Sequence, residues 1–152
     1  IEIDSYDAVA LAEVRRASKT PISGCETLIG IREFRPYFEN KSMDIAIIDA
    51  IWNGVAQSLK IAALAEAHEV NIAPHNFYGH LSSFMNAHFS ACVANFRIME
   101  IDIDDVSWKD DLVTVPPQIE NGCLVVPDGP GWGTELNEEA IAAHPPKNQS
   151  NQ

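Results

Sequence analysis

Glu2, Glu26, Asp49, His75 and Glu100 follow one another at spacings of 24, 23, 26 and 25 residues. Each closes or nearly closes a short apolar run: "IEID", "PISGCE", "DIAIID", "VNIAPH" and "FRIME". Four carboxylates and an imidazole gathered in one cleft would be forced to protonate unless something neutralised them. A hard divalent cation does this, and oxygen donors with no cysteine partner favour Mg²⁺ over Zn²⁺. Glu2 and Glu26, on adjacent strands, are the metal-ligand candidates. Asp49 and His75, also on adjacent strands, suit an orienter and a general base. A carboxylate on one ring nitrogen fixes the tautomer and leaves the other nitrogen free to take a proton. Glu100 is expected to face this pair across the mouth of the site, as an acid or a substrate anchor.

The elements that must position these groups are legible in the same spacing, which is the length of one strand-helix unit. Apolar stripes at helical period fill the intervals, in "DAVALAEVRRAS", "VAQSLKIAALAEAHE" and "LSSFMNAHFSACVA". Pro36 inside "IREFRPYFENKS" predicts a helix that is short or restarts there. Strands separated by single helices imply parallel βα units with right-handed crossovers. Parallel strands covered by helices should read as plain hydrophobic runs. A charge at the C-terminal end of each one therefore needs a reason, and in a (β/α) barrel those ends converge on the mouth where active sites are built. "FRIMEIDID" at 96–104 is expected to be the last clear strand. Beyond about residue 105 turn signals dominate, with one strand at "CLVV" and a short acidic helix near "NEEAIAAH". The organisation expected is barrel units over 1–105, a returning C-terminal segment over 106–144 and a disordered tail over 145–152.

Bulk properties narrow the class. With 152 residues the chain fits one domain and can bury about two-thirds of its unfolded surface. A net charge of −12 repels phosphate backbones, which argues against nucleic acid. No window approaches the roughly 18 apolar residues of a membrane span, so no membrane partner is expected. Cys25, Cys92 and Cys123 are odd in number and form no CxxC pair, which suits free thiols in a reducing, cytoplasmic setting.

The motifs carry a family resemblance. "IEID", "PISGCETLIG", "IIDAIWNGV", "IAPHNFYGHL", "RIMEID" and "IENGCLVVPDGPGWGTELNEE" stand in the order and spacing of the enolase superfamily, and the chain resembles its mandelate racemase/muconate lactonizing enzyme-type members over nearly all 152 residues. That superfamily sets a Lys or His base against Mg²⁺ and an ene-diolate. The resemblance implies an α/β fold, strands four to eight of a (β/α)7β TIM-type barrel, with the cap domain and first strands expected to be absent from the chain. It implies Glu2 and Glu26 as two of three Mg²⁺ ligands, Asp49–His75 as the base dyad and Glu100 as a hydrogen-bonding acid. It also implies a Mg²⁺-dependent dehydratase acting on a small sugar-acid carboxylate, and a homo-oligomer when full length. The alternatives are a racemase, epimerase or cycloisomerase on the same site, or an inactive module serving only structure or interaction.

Two positions depart from the family pattern. Cys25 stands where the family usually has Gly before the metal-ligand glutamate, and "WNG" replaces the usual Gly-Gly. Trp52, Asn76 and Tyr78 are candidates for substrate contact at the mouth. His80, opening a helix, either reaches substrate or has a structural role in the first turn. His68, His88 and His144 are expected to pack or lie on the surface. "DIDDVSWKDD" reads as a solvated loop, since it lacks the glycine and terminal Glu of a calcium-binding EF-hand.

Overall fold

The computed structural model describes residues 7–102 and 106–145. Helix α1 (Ala8–Ala17) starts where the Asp7 carboxylate accepts the Val9 and Ala10 backbone N–H groups. Strand β1 is only Ser23–Gly24, and α2 spans Ile31–Glu39. The proline does not divide α2, because Phe34, Tyr37 and Phe38 are buried along one side and hold all nine residues to the core. Strand β2 (Ile45–Asp49) ends in a one-turn helix α3 (Ala50–Asn53), which the sequence pattern did not foresee. Gly54, at φ +73, makes the sharp junction into α4 (Val55–Ala67). Strand β3 (Asn71–His75) and helix α5 (His80–Ala91) complete the regular units.

The three strands form one parallel sheet in chain order. Ser23 and Gly24 pair with Ile45 and Ala46; Ile45 through Asp49 then pair one-to-one with Asn71 through His75. Phe34, Phe38, Met43, Ile48, Ile61, Ile72 and Phe89 form the core between sheet and helices. Ala62 and Ala65 are buried on the α4 face turned inward, where small side chains allow close approach.

The expected strand at 96–104 is not continuous, and residues 103–105 lie outside the described part. Phe96 bridges Ile72 in parallel, and Arg97 N–H donates to the Ile72 carbonyl at 2.9 Å. The next bond, from Glu100 N–H to the Pro74 carbonyl at 3.4 Å, comes three residues later against two on β3. One extra residue bulges out, so the ladder breaks.

The remainder is turn-rich, as its composition implied. Strands β4 (Ile119–Glu120) and β5 (Cys123–Leu124) pair antiparallel, so "CLVV" is not a lone strand. Asn121 and Gly122, at φ +52 and +79, supply the turn that such a hairpin requires. Helix α6 (Glu138–Ala143) is capped by Asn137 and held by Trp108 stacked on His144, ring centroids 4.0 Å apart. Among the described residues no helix is long and apolar enough to cross a membrane. The expected tail lies outside the described residues except for Pro145.

Candidate active site

The β2–β3 register sets Asp49 directly beside His75 as the last pair of the ladder. Asp49 is 1% exposed, and both of its oxygens are occupied. Oδ1 accepts the Ile51 and Trp52 backbone N–H groups, each at 2.9 Å, and so caps α3. Oδ2 lies 2.9 Å from His75 Nδ1 and accepts the Tyr78 hydroxyl at 2.5 Å. One side chain therefore both caps a helix and orients the histidine. With Oδ2 as acceptor, the proton of that pair sits on Nδ1 and Nε2 carries the free lone pair.

His75 keeps 22% of its side chain exposed, and Nε2 stands 3.6 Å from Glu100 Oε2. Glu100 is thus beside the imidazole rather than across a mouth from it. The Asn76 backbone N–H donates to the same Oε2 at 3.0 Å and holds it there. Tyr78 packs edge-on against the His75 ring, centroids 5.6 Å apart at 89°. Burial, then the hydrogen bond to Asp49, pushes the Tyr78 phenol up to about 12, so it remains a donor at neutral pH.

Glu26 lies in the turn that leaves β1, half-buried, and its charge is felt by the Tyr78 hydroxyl. Cys25, just before it, has φ +80, a left-handed conformation that favours glycine. The departure from the family's Gly therefore leaves the backbone in the conformation that glycine would take. Burial pushes the Cys25 thiol up to about 12, which makes it a packing group and not a nucleophile. Glu2 lies outside the described residues. Among the described residues no group of three or more His, Cys, Asp or Glu side chains is placed to hold a metal ion.

Two candidates need correction. The Asn76 side chain is fully buried, donating to Ser83 Oγ at 3.0 Å and accepting from Ser82 Oγ at 2.7 Å. It ties β3 to α5 and is turned away from any mouth. His80 is buried too, with Nε2 at 2.6 Å from Asp110 Oδ1, so it anchors the 3-10 turn Asp110–Leu112 instead of reaching outward. Trp52 is 56% exposed, and its backbone N–H ties it to Asp49.

Asn53 was missed. Its Oδ1 accepts Gly30 N–H at 2.7 Å, while Nδ2 donates to the Leu28 carbonyl at 3.2 Å and the Asp49 carbonyl at 2.9 Å. One carboxamide thus joins the loop following Glu26 to the end of β2. The replacement of the family's Gly-Gly by "WNG" was the available signal.

Residues 3–140 match the family described as enolase C-terminal domain-like. This chain belongs to that family. Among curated relatives it is 31% identical over 137 residues to a D-gluconate dehydratase of Thermoproteus tenax, covering 89% of this chain and 28% of that protein. It is 29% identical over 149 residues to a D-galactarolactone cycloisomerase of Agrobacterium fabrum, covering 92% and 38%. A crystal structure from Burkholderia xenovorans strain LB400, provisionally named an L-alanine-DL-glutamate epimerase and bound to magnesium and fumarate, superposes with a TM-score of 0.92 at 60% identity, covering 95% of this chain and 36% of that one. The chain spans about a third of the length of these relatives.

Proposed function

We propose that this chain forms the base-bearing arc of a (β/α)7β barrel enzyme, a Mg²⁺-dependent dehydratase. In this reading it removes the proton α to the carboxylate of a sugar acid and then eliminates water. The observation that carries it is the His75–Asp49 pair, 2.9 Å apart at the ends of register-matched strands, with 22% of the histidine side chain exposed.

Glu26 suits Mg²⁺ in kind, being an oxygen donor at the same strand ends. Glu2 and a third carboxylate would complete the set. When bound, the cation supplies positive charge against the substrate carboxylate, without which an α-proton is too weakly acidic for imidazole. His75 Nε2 takes the proton, and Asp49 stabilises the imidazolium that results. Glu100, 3.6 Å from the same nitrogen, sits where the imidazolium charge appears. Either His75 or Glu100 then returns a proton to the departing β-hydroxyl, and the enol product becomes a 2-keto acid. General acid–base catalysis of this kind contributes about 10²–10⁴-fold.

An epimerase is the second reading, favoured by the 60% identity to the Burkholderia xenovorans protein. It shares the α-proton step but needs a second base on the opposite face. The full-length natural protein should be incubated with acid sugars, Mg²⁺ and D₂O. A 2-keto acid product supports the dehydratase, and inverted, deuterated substrate supports the epimerase. His75→Asn should bind Mg²⁺ as the parent does yet lose turnover and deuterium exchange. Near-normal exchange in that variant would remove His75 from the mechanism.

A further inference from the structure

We propose that Tyr78 is a positioning residue for the base, its hydroxyl pinning Asp49 so that the carboxylate has one direction left, toward His75. The kinetic part of this inference rests on the base role given to His75 above.

Three contacts carry it. First, the Asp49 carboxylate receives four donors: Ile51 N–H, Trp52 N–H, the Tyr78 hydroxyl and His75 Nδ1–H. Two of these are fixed by helix α3 and cannot change without unwinding it. The Oδ2 atom is held by Tyr78 on one side, so its remaining acceptor direction falls to the imidazole. Second, the direction of the Tyr78 proton is forced, because an ionised carboxylate can only accept and the phenol therefore donates to Asp49 Oδ2. Third, the Tyr78 ring meets the imidazole edge-on at 89°, which blocks rotation of the ring that bears the base. Tyr78 is turned inward while its neighbour Phe77 is 66% exposed, so the loop presents the phenol to the dyad and not to solvent.

The consequence is that the Tyr78 hydroxyl and His75 Nδ1–H meet at one Asp49 oxygen. The ionisable groups facing His75 are Asp49 from β2, Glu100 from the bulged segment and Tyr78 from its own loop. Removing the hydroxyl should leave Asp49 with less control over the direction in which it meets His75.

The test uses Tyr78→Phe in the full-length natural protein, which keeps the ring and removes one hydroxyl. With ¹⁵N-histidine labelling, and His75→Asn to assign the signal, the parent should show His75 as a single Nδ1–H tautomer. Tyr78→Phe should shift it toward a mixture, with the melting temperature nearly unchanged. Turnover should show kcat lower by roughly 10-fold, the scale on which an imidazole registers loss of an orienting partner, with KM within about 2-fold. An unchanged tautomer signal overturns the inference. So does a raised KM with kcat intact, which would make Tyr78 a substrate contact. A parent with no turnover on any acid counts against the proposed activity alone, because the tautomer measurement still decides the role of Tyr78.

Discussion

Residues 8–91 and residues 106–145 are stabilised by different means. The first region buries Phe34, Phe38, Ile48, Ile61 and Ile72 completely between a parallel sheet and its helices. In the second, Val113 is the one hydrophobic residue among those described that is buried. Its order comes from local devices: the Asn121–Gly122 turn, the Asn137 cap and the Trp108–His144 stack. Asp49, His75, Tyr78 and Glu26 all stand on the first region, at the strand ends or in the turns that follow them. A catalytic geometry accurate to tenths of an ångström needs supports that do not yield, and a dense core supplies them.

The sharpest way to break this contrast is to empty both regions. Phe38→Ala should cost about 3–5 kcal/mol in urea unfolding, by loss of transfer free energy and creation of a cavity. Leu136→Ala, half-exposed at the start, should cost under about 1 kcal/mol. Equal losses would mean that the turn-rich segment carries more of the fold than its burial suggests.

A smaller effect tests whether strain is stored beside Glu26. A non-glycine residue at φ +80 costs roughly 1–2 kcal/mol. Cys25→Gly should therefore stay within about 0.5 kcal/mol of the parent although it loses a buried thiol. Cys25→Ala keeps the strain, loses the sulfur, and should fall about 1 kcal/mol below the parent. If the glycine variant is the less stable of the two, the positive φ is not strained.

The smallest effect concerns pH. The Arg15 guanidinium beside Asp44, bonded at 2.7–2.8 Å, holds that carboxyl below its usual 3.8, against a smaller opposing effect of burial. A depressed folded-state value means that stability is gained above the unfolded value and lost as pH falls through the folded one. Melts should show this loss below about pH 4, and Asp44→Asn should remove that part of the slope. A variant with an unchanged slope would assign it to other carboxylates.

The sequence revealed the fold where a residue's neighbours are set by regular structure. A parallel strand is a hydrophobic run with an interpretable end, so Asp49 and His75 could be paired from their spacing alone. The bulge at 97–100 was not readable, because it depends on which hydrogen bonds an edge can satisfy. Glu100 was expected across the mouth from the pair and instead stands 3.6 Å from His75 Nε2. Tyr78 was a candidate for substrate contact, but its bond to Asp49 and the role of Asn53 escaped, because their partners are backbone groups and a carboxylate reached through loops, where no period marks direction. Asn76 and His80 looked available because polar residues after a strand often are. Here Ser82, Ser83 and Asp110 take up their hydrogen bonds.

The β2–β3 register has a further implication for how readiness is obtained. Five successive backbone pairings end on Asp49 and His75, so the separation of the dyad is a property of the sheet and not of side-chain search. The entropy of bringing acid and base partners together is spent once, during folding, and none of it falls on an individual turnover. A slip of one residue would turn every β3 side chain to the other face and leave the imidazole pointing into the helices. Catalytic competence is in that sense a direct readout of strand alignment: a molecule with the wrong register has no weakened site, only none.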